Sequence, residues 1–295
     1  MRLQRTIKRE VSVKGIGLHT GRECSICLMS APRDTGIVFI RKDKGGAAIK
    51  ANLDNVINTS FATNLGVDGV RVNTTEHILS ALAGLKIDNV YIEVDGPEIP
   101  IMDGSAFGYV NLIIQAGIAK QGKNVPYLRI TKPIAHKEGQ SEIAIVPYEG
   151  MRISYRVYFN HLLIGEQTLG IDITESNFVK EIAPARTFGF LDDVKALRKM
   201  GLAMGGSLDN AIVIGKDRVL NEEGLRYADE FVRHKILDAV GDFSLGGIPI
   251  EGHIIANRSG HYINIKFMRK ILSAVDCWKI ISSEDYQATA KAAVY

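Results

Sequence analysis

Strand-like runs and a few helical stretches alternate along the whole chain, and this alternation limits the fold more than any other feature of the sequence. Residues 11–13, 23–29 and 90–94 are short runs, β-branched or partly alternating, that suit a pleated, half-buried surface. Residues 74–85 (TTEHILSALAGL) instead bring Ile78, Leu79, Leu82 and Leu85 onto one helix face, with Asn73 or Thr74 as the expected cap. Strand runs return at 127–130, 142–146 and 152–159, a second helix is expected over 228–242 (ADEFVRHKILDAVGD), and runs at 254–256 and 262–265 follow. The polar segment QGKNVP (121–126) is the best domain boundary, dividing the chain into 1–124 and 125–295. Strands mixed with so few helices predict an α+β fold of two layers per half rather than a doubly wound parallel sheet. The halves hint at duplication. Aligning His77 with His234 also aligns Gly84 with Gly241 and sets Asp238 opposite Ala81, and in each half the helix is followed by a loop containing IPI. Two similar α+β halves would leave a cleft between them, the default place for a site.

Composition closes off several functions. The chain has 295 residues, enough for about two domains with a sizeable core. With 36 basic and 33 acidic residues, no basic run and a net charge of +3, it does not look like a general nucleic-acid binder. Three cysteines make no disulfide framework. MRLQRTIKRE lacks the apolar core of a signal peptide, and no run approaches the ~18 apolar residues of a membrane span. A cytoplasmic protein is expected.

KGIGLHTG (14–21) is glycine-rich but leads into a strand, so it reads as a turn between antiparallel strands and not as a phosphate loop. Cys24 and Cys27 fall on opposite faces of that strand, which disfavours zinc or redox use. Neither G-x-S-x-G nor H-E-x-x-H occurs. The residues that can carry chemistry are Glu76–His77, His234 with Asp238, Asp242 and His261. His234 and Asp238, at i and i+4, lie on one helix face where both can reach one ion, and Asp242 continues that face. If His77 is a ligand, Glu76 beside it can reach a metal-bound water as general base. Three protein ligands, His77, His234 and Asp238, leave a fourth position open, the pattern of catalytic zinc. Each helix alone also fits a plain reading, a solvated charged face or a first-turn Glu beside the helix dipole. His261, in NRSGHYIN (257–264), reads as sitting on a turn entering a strand. There it is either a surface histidine or an acid oriented by a carboxylate such as Asp242. His19, His136, His161 and His253 belong to no motif.

Residues 74–106 (TTEHILSALAGLKIDNVYIEVDGPEIPIMDGSA), 185–190 (ARTFGF), 205–213 (GGSLDNAIV) and 218–242 resemble the UDP-3-O-acyl-N-acetylglucosamine deacetylases, bacterial zinc enzymes of the committed step of lipid A synthesis. The resemblance covers almost the whole chain, with no fused extra domain. It implies two similar α+β domains whose helices face one another across the active site. It implies zinc on His77, His234 and Asp238, Glu76 as general base, and His261 as general acid with Asp242 behind it. It places Lys235 beside the metal and Thr187 at the developing oxyanion. The implied substrate is a UDP-glucosamine with a 2-acetamido group and a 3-O-hydroxyacyl chain. Phe188 would lie near the sugar, Phe159 under the uridine, and the segment at 190–206 would build the acyl passage. In that segment Leu191, Val194, Leu197 and Met200 recur every third residue as an apolar stripe. Ser141 stands where some relatives carry a lysine near the nucleotide. Fe(II) in place of zinc in cells stays open, and a monomer is expected. The rival readings are another zinc amidohydrolase or peptidase with the same ligands, and a catalytically silent sugar-nucleotide binding protein.

Overall fold

The computed structural model describes residues 2–282. Among the described residues six α-helices interrupt a series of short strands and connecting loops: α1 (Glu76–Gly84), α2 (Phe107–Ala116), the single turn α3 (Glu175–Asn177), α4 (Leu191–Lys199), α5 (Glu230–Ser244) and α6 (His261–Ser273).

In the N-terminal half a five-stranded sheet runs in the order Val11–Ile16, Glu23–Ser30, Val90–Asp95, Ile37–Arg41, Ala47–Lys50. Its neighbours are antiparallel except for the parallel pair Val90–Asp95 and Ile37–Arg41. Period-two alternation buries Cys24, Ile26 and Leu28, and likewise Val90, Ile92 and Val94. In the C-terminal half, strand Ile250–Asn257 organises a seven-stranded sheet. It pairs antiparallel with Ser141–Val146 and parallel with Met151–Phe159 and Tyr127–Ile130.

Between the sheets lie α1 and α5, which pack on each other more extensively than any other pair of helices. Almost every residue of α1 is buried, as expected of a helix covered on all sides. At Gly241 the two backbones come so close that an added Cβ would overlap the Glu76 carbonyl oxygen and stand 3.0 Å from its carbon. Ser80 Oγ donates to Leu237 O at 2.8 Å, a second tie between the helices. One hydrophobic cluster runs through both halves, from Phe39 and Leu28 through Leu79 and Val240 to Ile254 and Phe267. The fold is therefore α+β, as the sequence predicts.

Several local expectations are corrected. Helix α1 starts at Glu76. Thr74 adopts φ 57 and its hydroxyl donates to Glu98, while the Thr75 hydroxyl donates to Thr63 O, so neither Thr74 nor Asn73 caps the helix. Residues 121–124 are no linker, because they belong to strand Ile118–Asn124, which pairs antiparallel with Leu3–Ile7. Residues 262–265 are not a strand but the first turn of α6. The turn at 14–21 does join antiparallel strands.

Candidate metal centre and active site

Three ligating side chains converge where α1 crosses α5. His77 is the second residue of α1, and His234 and Asp238 lie one turn apart on α5. All three are buried, and their ligating atoms lie within 4.8 Å of one another. His234 Nε2 is 3.3 Å and His77 Nε2 3.7 Å from Asp238 Oδ1, and the two rings meet edge to face at 5.0 Å. His234 Nδ1 faces Ala185 O at 3.1 Å, which fixes Nδ1–H as donor and leaves Nε2 a lone pair turned to the group. Asp238 Oδ2 accepts from Lys235 Nζ at 2.8 Å, whereas Oδ1 is buried with no hydrogen-bond partner. A buried carboxylate oxygen without a donor is costly unless a cation meets it. Two imidazole nitrogens and one carboxylate oxygen are a donor set that zinc accepts, with room for a fourth ligand. Burial, with His234 alongside, holds the His77 imidazole down to about 3, in the neutral form a ligand must have. Burial alone would raise Asp238, but His234, Lys235, His261 and His77 around it hold it well below the carboxylate range.

Glu76 and His261 face each other beside this group, Oε1 to Nε2, at 4.0 Å. Burial pushes the Glu76 carboxyl up to about 7. Its Oε2 accepts the Thr63 backbone N–H at 2.9 Å, which leaves Oε1 toward the cavity. His261 is the first residue of α6, its Nδ1 2.9 Å from Asp242 Oδ2. Burial works against its imidazolium, but Asp242 and Asp238 outweigh that and raise it to about 9. Asp242 has no exposure and also accepts from Thr63 Oγ1 at 2.6 Å and Asn264 Nδ2 at 2.9 Å. Thr63 and Asn264 escape the sequence reading. Asn264 is one turn beyond His261 on a helix read as a strand, and nothing local marks Thr63.

Glu76, His77, His234, Asp238 and His261 floor a cavity of about 420 Å³. Thr187, Phe188, Phe159 and Lys235 line it, as do Leu197 and Met200, whereas Leu191 and Val194 do not. A three-residue stripe drifts around a helix, and the nine steps from Leu191 to Met200 span about two and a half turns, so its ends point apart. The face turned to the cavity is Asp193, Ala196, Leu197 and Met200, the i, i+3, i+4, i+7 pattern, with Leu18 and Phe61 also on the wall. Helix α4 itself has no buried residue, and Met200 is 68% exposed. Phe188 stands edge-on to Phe159 at 5.6 Å, with Lys235 Nζ 5.8 Å from its ring centre. Thr187 N donates to Gly104 O at 2.7 Å. Ser141 does not line the cavity, and its hydroxyl donates to Arg258 O. His136, His161 and His253 also lie outside it. His19 does not line it either, but it is close enough to His261 for their charges to interact. A larger cleft of about 1080 Å³ opens along later turns of the same helices, at Leu82 and Phe243, and contains none of the ligating group. The candidate ligating group lies in the smaller one.

The model of the UDP-3-O-acyl N-acetylglycosamine deacetylase family matches residues 4–273. The chain belongs to this family. It is 51% identical over 294 residues to the UDP-3-O-acyl-N-acetylglucosamine deacetylase of Thermodesulfovibrio yellowstonii, covering 99% of this chain and 100% of that one. The deacetylase of Acidithiobacillus ferrooxidans is 48% identical over 97% of this chain and 95% of its own. That of Saccharophagus degradans is 47% identical over 96% and 94%. This deacetylase is a metal-dependent hydrolase of lipid A biosynthesis, with zinc as its metal and His77, His234 and Asp238 as the candidate site. No described helix of the deacetylase is long and apolar enough to cross a membrane.

Proposed function

We propose that the chain hydrolyses the 2-acetamido group of a UDP-3-O-(3-hydroxyacyl)-N-acetylglucosamine, releasing acetate and a free amine, with His77, His234 and Asp238 as ligands. The observation that carries this reading is the orphaned Asp238 Oδ1 between two neutral imidazoles, with Glu76 and His261 poised on the same side. Zinc, when bound, supplies Lewis-acid polarisation of the acetyl carbonyl and an acidified water. Glu76, held through Oε2 by Thr63, presents Oε1 and takes the proton of the attacking water. His261, kept as imidazolium by Asp242, gives its Nε2 proton to the departing nitrogen, because an amide nitrogen leaves poorly unless protonated. Lys235, whose burial is outweighed by Asp238 so that it stays charged, and Thr187 face the developing oxyanion.

The acyl chain lies against Ala196, Leu197 and Met200 with Leu18 and Phe61 opposite, and Phe188 and Phe159 hold the sugar and uridine end. The apolar wall favours an acylated sugar over a peptide. Glu76 and His261 together speak against a silent binding protein. A nucleotide-sugar substrate supports a reaction in the cytoplasm, and the protein is taken to act as a monomer. The chain divides at 124/125 into two similar α+β domains, each contributing one ligand-bearing helix. The test is acetate release from the acylated UDP-sugar by zinc-loaded protein. Absence of turnover with one zinc bound per chain would reject the reading.

A further inference from the structure

Glu98 has no exposure and forms no ion pair among the described residues, so hydrogen bonds alone hold its carboxylate. Its Oε1 accepts the His19 backbone N–H and the Thr74 hydroxyl, both at 2.8 Å, and its Oε2 accepts the Thr20 N–H, also at 2.8 Å. An added Cβ at Gly17 would stand 2.8 Å from its carboxyl carbon, so the loop closes directly over it.

The donors belong to two parts of the site. Thr74 lies two residues before Glu76, in the left-handed region at φ 57, which is strained for a β-branched residue. Two bonds retain it there: its hydroxyl to Glu98, and its N–H to Asn64 Oδ1 at 3.0 Å. His19 and Thr20 belong to the loop whose Leu18 lines the cavity. That loop in turn accepts Met204 N–H on His19 O at 3.2 Å and Gly205 N–H on Leu18 O at 3.0 Å, where the segment after α4 returns. One carboxylate therefore joins the entry of the helix carrying Glu76 to the wall facing the acyl chain.

We propose that Glu98 is a positioning residue for deacetylation. Through Thr74 it sets the direction of Glu76, and through His19 and Thr20 it holds the loop that closes the acyl cavity. The first half rests on Glu76 being the general base. Neither role requires Glu98 to touch substrate.

The test is steady-state kinetics on zinc-loaded protein, with metal content and circular dichroism matched to wild type. Glu98→Ala should lower kcat by roughly 10²-fold, the cost of a displacement near 1 Å of a catalytic group, and should also raise KM for the acylated substrate. Thr74→Val removes only the hydroxyl and should lower kcat with KM unchanged. Glu98→Gln keeps part of the acceptor set and should recover part of both constants. A purely structural role would reduce the folded yield but leave kcat and KM per zinc-loaded molecule unaltered. If Glu98→Ala does not fold, Thr74→Val and Glu98→Gln decide. Wild-type constants in both would overturn the proposal. Glu76→Ala separates the two readings. If it stays active, the base assignment fails and takes the Thr74 half with it. If it is inactive while the Glu98 and Thr74 variants match wild type, the positioning proposal alone fails.

Discussion

Replacing Gly241 by Ala tests whether the closeness of two helices sets the ligand geometry. In a helix interior the change should stabilise by ~1 kcal/mol through propensity alone. Here the new Cβ would stand 3.0 Å from the Glu76 carbonyl carbon and 3.1 Å from its Cα. Carbon atoms settle at about 3.5–4.0 Å, so α1 and α5 must part by roughly 0.5–1 Å. The obstacle is backbone, which no rotamer change relieves. Overpacking costs ~1–3 kcal/mol, and against the propensity gain we expect a net loss of about 1–2 kcal/mol. The same movement carries Glu76 and His77 away from His234 and Asp238. Zinc tolerates only about ±0.2 Å in its ligand distances, so affinity should fall by roughly 10- to 100-fold, the scale seen when outer partners of a site are lost. The assay is competition with a chromophoric chelator, alongside thermal melts of the zinc-free protein. Gly84→Ala is the control. Its Cβ would run first into the Phe178 ring, a side chain rather than the backbone of α5, so it should cost stability without weakening zinc. Wild-type zinc affinity in Gly241→Ala would refute the argument that the helix crossing holds the ligands in register.

Other outcomes are as specific. His234→Ala should lose zinc and activity together while keeping a folded chain, since one continuous core spans both halves, and metal analysis with circular dichroism checks this. Leu197→Ala should lower kcat/KM for the acylated substrate by roughly tenfold or more, at ~0.8 kcal/mol per buried CH₂, whereas Leu191→Ala should not. Equal effects would return the acyl chain to the other face of α4. Asp242→Asn should move the basic limb of the kcat/KM profile to lower pH. The active His261 is protonated, and Asp242 is the strongest influence favouring that form, so neutralising it makes the proton leave sooner. An unmoved limb in zinc-loaded protein would remove His261 as the acid.

The ligand set was legible because a helix turns i and i+4 residues the same way, and because the second histidine-bearing helix echoes the first. His261 reads from the residues alone as either a surface histidine or an acid, and only the family resemblance ties it to the second; its local structure differs from the expected turn into a strand. Gly260 and the run Tyr262, Ile263, Ile265 look like a strand entry over four residues, yet the longer window carries Ile263, Phe267, Met268 and Ile271 at helical spacing, all buried. Of the stripe at 191–200 only Leu197 and Met200 line the cavity, because a period of three is not the helix period. Thr74 looked like a cap and was drawn instead into bonds with Asn64 and Glu98, partners distant in sequence. Thr63, which serves both Glu76 and Asp242, shows how a loop residue gains its meaning only from tertiary contacts that no local pattern records.

Helix α4 leaves its apolar face without a core to join. A bound acyl chain would supply that missing layer, so ligand binding and the final packing of this helix become one event. The calorimetric mark of such an event is a heat-capacity decrease larger than the ligand's own apolar area accounts for, because protein surface is buried along with it. Dissociation then has to strip the chain from Leu197 and Met200 and return both to water.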